Sequence, residues 1–339
     1  MAGLSRPIGW PTAYPLPSDL NWGWALTLIL MGHEISKSEI RENFVLEHEK
    51  AGSQGLFAVA DSALTRKGEE KDGRVEYRTL LTGLKKVHEL TIRIARPDIL
   101  RNGHFQSFQA DPAYHATAFL AFAGNAYSAH HALDAIREDL GGLRLSFRYP
   151  HQPGEPKDHV VIRSRDANPM HADGVAFDQD MFFGSEIEGL FRADYFAHVV
   201  KHSIENALQS VVTHCQTTRD ISLANATFAF GVWCPVERTH KLYHLEPKRI
   251  TVEGRYQLVV IPTVVPEGEV LALGMESVIA TLPIQDTYND ALASSTSPAK
   301  ALQRLMDGMI DRDHAAFTGY PINRPISRIH LKENHLRRF

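Results

Sequence analysis

Gly55-Leu56-Phe57-Ala58-Val59-Ala60-Asp61-Ser62 is a short apolar run that ends in an acid. It reads as a buried strand with a carboxylate at its tip. Leu84-Lys85-Lys86-Val87-His88-Glu89-Leu90 places a lysine just before a second strand-like run. Neighbouring buried strands that deliver a carboxylate and a lysine to one place can form a protected charged pair. Burial and a nearby acid tune the pKa of such a lysine, which proton-transfer chemistry requires. The alternative for Asp61 and Lys86 is solvated strand ends, the usual state of charged residues.

A third run, Ala118-Phe119-Leu120-Ala121-Phe122-Ala123-Gly124-Asn125-Ala126, is an apolar strand that breaks at glycine before a helix-like segment. Together these pieces resemble the proteasome β-type family of N-terminal-nucleophile hydrolases, with its "AADS" strand, lysine before an apolar strand and Ala-Gly before the first helix. Asp61, Lys86 and Gly124 take those positions in order. Arg312-Asp313-His314-Ala315-Ala316-Phe317-Thr318-Gly319-Tyr320 resembles the family's "RD..SGG" segment, with two extra residues between Asp313 and Thr318. Phe228-Ala229-Phe230-Gly231 and Lys241-Leu242-Tyr243-His244-Leu245 look like the hairpin after its second helix.

The resemblance implies a threonine nucleophile freed by removal of a leader, with its own α-amine as base. Asp61 and Lys86 would orient it, the Gly124 amide would stabilise the oxyanion, and Asp313 and Thr318 would support from the C-terminal segment. The first strand departs from the family pattern, reading Trp22-Gly23-Trp24-Ala25-Leu26-Thr27-Leu28-Ile29. Alignment on Gly23 puts Trp24 at the nucleophile position, and the apolar pattern puts Ala25 there. A shift of a few residues brings Thr27, with Leu26 before the cut; otherwise Thr27 is a β-branched residue of a buried strand. Met275 stands where the family has a supporting serine. Two readings follow: a threonine peptidase hydrolysing peptide bonds in a self-compartmentalising ring, or a non-catalytic structural subunit lacking the nucleophile.

The 339 residues carry 43% hydrophobic and 22% charged side chains, an ordinary balance for a globular chain. A net charge of -4 and the lack of a basic aromatic patch argue against nucleic acid. No apolar run approaches membrane-spanning length. Cys215 and Cys234 make neither a disulfide framework nor a metal set, which suits the cytoplasm. Among 18 histidines, His130 and His131 are adjacent and point about 100° apart on a helix, so they cannot chelate one metal together. No HExxH or paired-Cys spacing occurs. No cofactor and no metal is expected; peptide or unfolded protein is the expected substrate, with a homo-oligomeric ring and an unfoldase of unspecified identity as partners.

Along the chain, residues 1–22 read as an extended leader or arm, 23–330 as one domain and 331–339 as a tail. Within the domain the expected elements are a strand over 24–31, a short helix and turn over 35–52, and a polar loop over 66–78. A helix from Asn125 to about 140, a surface elaboration over about 143–193 and a helix over 194–214 follow. A strand-rich stretch over 227–279 and a helix over 298–310 complete the pattern. Strands and helices in this order suit an α+β fold. The resemblance sharpens it to a four-layer αββα sandwich, two antiparallel sheets with helices on both outer faces.

Overall fold

β1 (Leu28–Ile35, LILMGHEI) and β2 (Ser53–Ala60, SQGLFAVA) are apolar without alternation because both faces of each are covered. Ile29, Met31, Leu56 and Ala58 point into one apolar cluster, while Leu28, Leu30, Phe57 and Val59 point into another. The computed structural model describes residues 27–35, 53–71, 74–148, 158–171, 176–214, 224–252, 255–316 and 322–339. The leader over 1–22 lies outside them, as does the helix and turn expected over 35–52 except for Ile35, which ends β1.

After β2 the chain forms the hairpin β3 (Leu64–Lys71) and β4 (Arg74–Leu81), then the long ribbon β5 (Val87–Ile99) and β6 (Phe105–Gly124). The ribbon's register shifts around Ala95 and Pro97, where proline cannot donate to the ladder. Helix α1 (Ala126–Gly141) follows, capped by Asn125, whose side chain accepts from the amides of Tyr127 and Ser128. Strands β7 (Leu143–Arg148) and β8 (Asp158–Ile162) come next, then the single turn α2 (Ser185–Glu188) and the 22-residue α3 (Ala193–His214). The rest comprises β9 (Ala226–Cys234), β10 (Thr239–Val252), β11 (Arg255–Val265), β12 (Leu271–Gly274), the single turn α4 (Glu276–Ile279), α5 (Ile284–Ala293), α6 (Pro298–Ala316), β13 (Ser327–Lys332) and β14 (His335–Arg338).

One sheet has the order β12-β1-β2-β13-β14 and a second the order β11-β10-β9-β6-β5-β7-β8; β3 and β4 form a ribbon of their own. Side chains of the two larger sheets share one apolar cluster (Ile29, Leu56, Phe119, Leu242, Leu331). α1 and α3 pack on the seven-stranded sheet through Leu133, Ile136, Phe196 and Ile204, and α5 and α6 pack on the five-stranded sheet through Tyr288, Leu302 and Met306. Asp139 of α1, almost fully buried, accepts from Ser203 Oγ of α3 at 2.6 Å and pairs with Arg165, which anchors the segment after β8.

The expected four-layer αββα sandwich of the N-terminal-nucleophile type is corrected by this architecture. Among the described residues the fold is mixed α/β and strand outweighs helix, around a curled seven-stranded sheet. That sheet is not purely antiparallel, since β7 joins β5 in parallel. Two stretches read as surface account for much of the difference. Residues 66–78 are mostly strand, and the region over 143–193 supplies β7, β8 and the buried side chains Phe177, Phe182, Ile187 and Phe191. The C-terminal tail is likewise replaced by β13 and β14, with Leu331 fully buried.

The edge strand β11 is closed against further pairing. The amides of Leu258 and Val260 donate to Gln209 Oε1 (3.0 Å) and Glu205 Oε1 (2.8 Å) of α3, and the next position in that alternation is Pro262, which has no N–H. Such capping is a device against edge-to-edge association. Glu205→Ala is expected to lower stability by about 1–3 kcal/mol, as for loss of a charge-assisted bond to a buried amide, and to cause association that grows with concentration. Urea unfolding and light scattering test this; Glu205→Gln, which keeps the acceptor, should behave nearly as the parent.

Candidate functional site

Asp61 leaves the end of β2 fully buried, and its carboxylate is completely engaged. Oδ1 accepts from the Leu28 amide at 2.8 Å and from Lys86 Nζ at 2.6 Å; Oδ2 accepts from the Ala63 amide at 3.0 Å. Its own amide donates to the Leu28 carbonyl at 3.2 Å, so Asp61 grips the first residue of β1 from both sides of the peptide. Lys86, 2% exposed, immediately precedes β5, and its carbonyl accepts from the Phe122 amide of β6.

A clasp at the base of the β3–β4 hairpin brings these two residues together across 25 positions of sequence. Ser62 Oγ accepts from the Gly83 amide (3.2 Å), and the Ser62 carbonyl accepts from the Leu84 amide (3.0 Å). The Ser62 amide donates to the Asn323 carbonyl, and Arg324 beside it binds Asp307 and Asp311 of α6. The C-terminal end of α6 is thereby tied to the segment that carries Asp61.

Burial governs the ionisation of the pair. It pushes the Asp61 carboxyl upward, against the opposing pull of Lys86 and of the Leu28 and Ala63 amides. It pushes the Lys86 ammonium downward, against the attraction of Asp61. Lowering of this kind moves a lysine toward the range in which proton transfer is useful, which a solvated lysine does not reach.

Thr27 lies just ahead of β1 and is 2% exposed, so the strand expected over 24–31 begins at Leu28 among the described residues. The Thr27 carbonyl accepts from the Met275 amide at 3.1 Å, and the other end of the same peptide unit, the Leu28 amide, is held by Asp61. Thr27, Asp61 and Lys86 are therefore brought to one place.

Gly124 has a backbone role. It ends β6 at φ +109°, and a Cβ there would sit 2.5 Å from the Asn225 carbonyl oxygen. Asp313 lies in the last turns of α6 with its side chain outside the description, and Thr318 lies outside the described residues altogether. Sequence reasoning missed the part played by Ser62 and Asn323; the one available signal was Ser62 next to the acid. Met275 contributes its amide, not its side chain.

The adjacent histidines go separate ways. His130 packs edge-on to His88 and Phe122, and His131 meets Ser210 at 3.2 Å. Among the described residues no group of three potential ligands is placed to hold a metal, and no helix is long and apolar enough to cross a membrane. No protein-family model and no curated protein matches the chain.

Proposed function

We propose that the chain is a proteasome-subunit-like hydrolase of peptide bonds whose nucleophile is Thr27, freed as an N-terminal residue by removal of residues 1–26. The observation that carries this reading is the peptide unit of Thr27 and Leu28, held by the buried Asp61–Lys86 pair. Function here rests on that site and not on the fold, since one fold serves many chemistries and one chemistry recurs on several folds.

In the proposed reaction the Thr27 hydroxyl oxygen attacks the substrate carbonyl while the freed α-amine takes its proton. The tetrahedral oxyanion collapses with cleavage of the C–N bond, and the amine returns the proton to the leaving nitrogen. Water then hydrolyses the ester on Thr27 by the same exchange. Lys86, lowered by burial, sets the proton balance of the hydroxyl, and Asp61 fixes Lys86. The Gly124 amide is the oxyanion donor that the family resemblance supplies. Peptides or unfolded proteins are the proposed substrates, in the cytoplasm, within a homo-oligomeric ring fed by an unfoldase.

A second reading, a non-catalytic assembly subunit, is favoured by one observation: both carboxylate oxygens of Asp61 are already engaged, by the Leu28 and Ala63 amides and by Lys86. Intact-mass analysis of the assembled protein separates the two. A mature terminus at Thr27, with covalent capture by a peptide electrophile that needs a hydroxyl and an adjacent amine together, supports the enzyme. An intact Met1 or Ala2 terminus in the assembled protein refutes it. In the first case Thr27→Ala should abolish leader removal and turnover, while the protein remains folded.

A further inference from the structure

Away from the Thr27 site, the two large sheets bury a pair of imidazoles between them. His33 of β1 is 1% exposed and His240 of β10 is 3% exposed. The Glu333 amide, in the turn between β13 and β14, donates to His240 Nε2 at 2.8 Å. That bond fixes the tautomer, because a nitrogen that accepts an amide proton carries none of its own, and the hydrogen of neutral His240 must sit on Nδ1. The His33 ring bonds the backbone of His240, and the Nδ1 atoms of both histidines are buried without a partner.

We propose that His33 and His240 form an acid-sensitive latch that holds the β13–β14 hairpin on β10 while both rings are neutral and releases it when either takes up a proton. A second proton on His240 can go only to Nε2, where it would face the Glu333 N–H instead of accepting from it. A second proton on His33 goes to Nδ1, which has no acceptor. Either event leaves a buried imidazolium with an N–H that has no acceptor, a condition that folded structures avoid.

The surroundings agree. Burial is the largest influence on both rings and lowers both, His240 to about 4; a charged His33 also opposes a proton on His240. Glu267 favours a proton on His33 and Lys241 opposes it. β2 carries no ionisable side chain, β9 presents Trp233 to His240, and β13 presents Ile329 and Leu331 on this face. The turn itself carries Lys332, Glu333 and His335. A group whose folded pKa is depressed gives stability that is present above its unfolded value and lost as the pH falls through the folded one. The window for His240 therefore runs from pH 6.5 down to about 4. The hairpin also walls a cleft of about 380 Å³ lined by Glu34, Gln54, His330, Lys332 and Arg337, so its release would open that cleft.

Trp233, whose ring centre lies 4.7 Å from that of His240, is the natural reporter, because an imidazolium beside an indole quenches its emission. In the full chain with Trp10, Trp22 and Trp24 changed to Phe, emission is expected to fall as the pH drops from 6.5 to 4. The Glu333 and Phe339 amides should lose hydrogen-exchange protection over the same range, together with the β2 amides that bond β13 and ahead of those that join β1 to β2. The double variant His33→Gln, His240→Gln, which keeps an acceptor for Glu333 but leaves neither ring to titrate, should abolish the fall in emission and retain protection. Loss of Glu333 protection at an unchanged midpoint in that variant would overturn the latch. Should the variant not fold, the parent decides alone: opening of the hairpin and of β1–β2 at one common midpoint would also overturn it.

Discussion

Lys86→Ala is expected to be among the most destabilising single changes in the chain, by about 3–5 kcal/mol, the range for breaking a buried ion pair from one side. The variant leaves Asp61 fully buried, with two amides still pointing at its carboxylate and no cation beside it. Protonation offers partial relief to a carboxyl that burial already pushes upward, so the loss should be smaller below pH 5 than at pH 8. Asp61→Asn is no remedy, because its NH₂ group would replace one oxygen that now accepts from an amide or from Lys86. Equilibrium urea unfolding of both variants at the two pH values tests this. A Lys86→Ala midpoint within 1 kcal/mol of the parent at pH 8 would mean that water reaches the pair. If Thr27 is the nucleophile, Lys86→Met should remove turnover even in whatever fraction remains folded.

The parts of this arrangement that could be read in advance are those that burial writes into sequence. β2 is an unbroken apolar run that ends in Asp61, and β5 begins directly after Lys86; the order and apolarity of these runs suggested the pair, and the family resemblance gave it its weight. Asn125 was legible as a cap, and Phe196, Val200, Ile204 and Leu208 marked the stripe of α3. What escaped lacks that imprint. β3 and β4 form a two-stranded ribbon with charged positions on both strands, so no alternation marks it. β7 has only six residues and gains its identity by joining β5 in parallel after the α1 crossover, a long-range event that local propensity cannot announce. α5 also went unread, since its buried side chains, Ile284, Tyr288 and Ala291, are few and dissimilar. The family-level picture of two matched sheets failed for the same reason: the added strands come from stretches whose composition is that of loops.

Thr27 was the hardest position to fix from sequence, because the residue that locates it stands 247 positions away. Gly274 pairs with Leu28 at the end of β12, and a Cβ built on it would lie 1.7 Å from the Thr27 carbonyl oxygen and 2.6 Å from the carbonyl carbon. No rotamer can relieve contact with backbone. Gly274 also sits at φ +135°, a conformation that costs other residues about 1–3 kcal/mol even in open space. Gly274→Ala must therefore drive β12 and Thr27 apart, breaking the bond from Met275 N–H to the Thr27 carbonyl. A loss of about 4 kcal/mol or more is expected, beyond the usual range for point changes. Gly268→Ala is the control, since φ there is +94° with nothing within 4 Å of the added Cβ. It should show the backbone penalty alone. The difference between the two variants in urea unfolding isolates the contact with Thr27. Hydrogen exchange at Leu28 reads the same event locally, because its amide stays bound to Asp61 only while Thr27 stays in place. Equal losses in the two variants, with Leu28 still protected, would show that β12 can yield without disturbing Thr27, and the close approach of Gly274 would then have no part in positioning the proposed nucleophile.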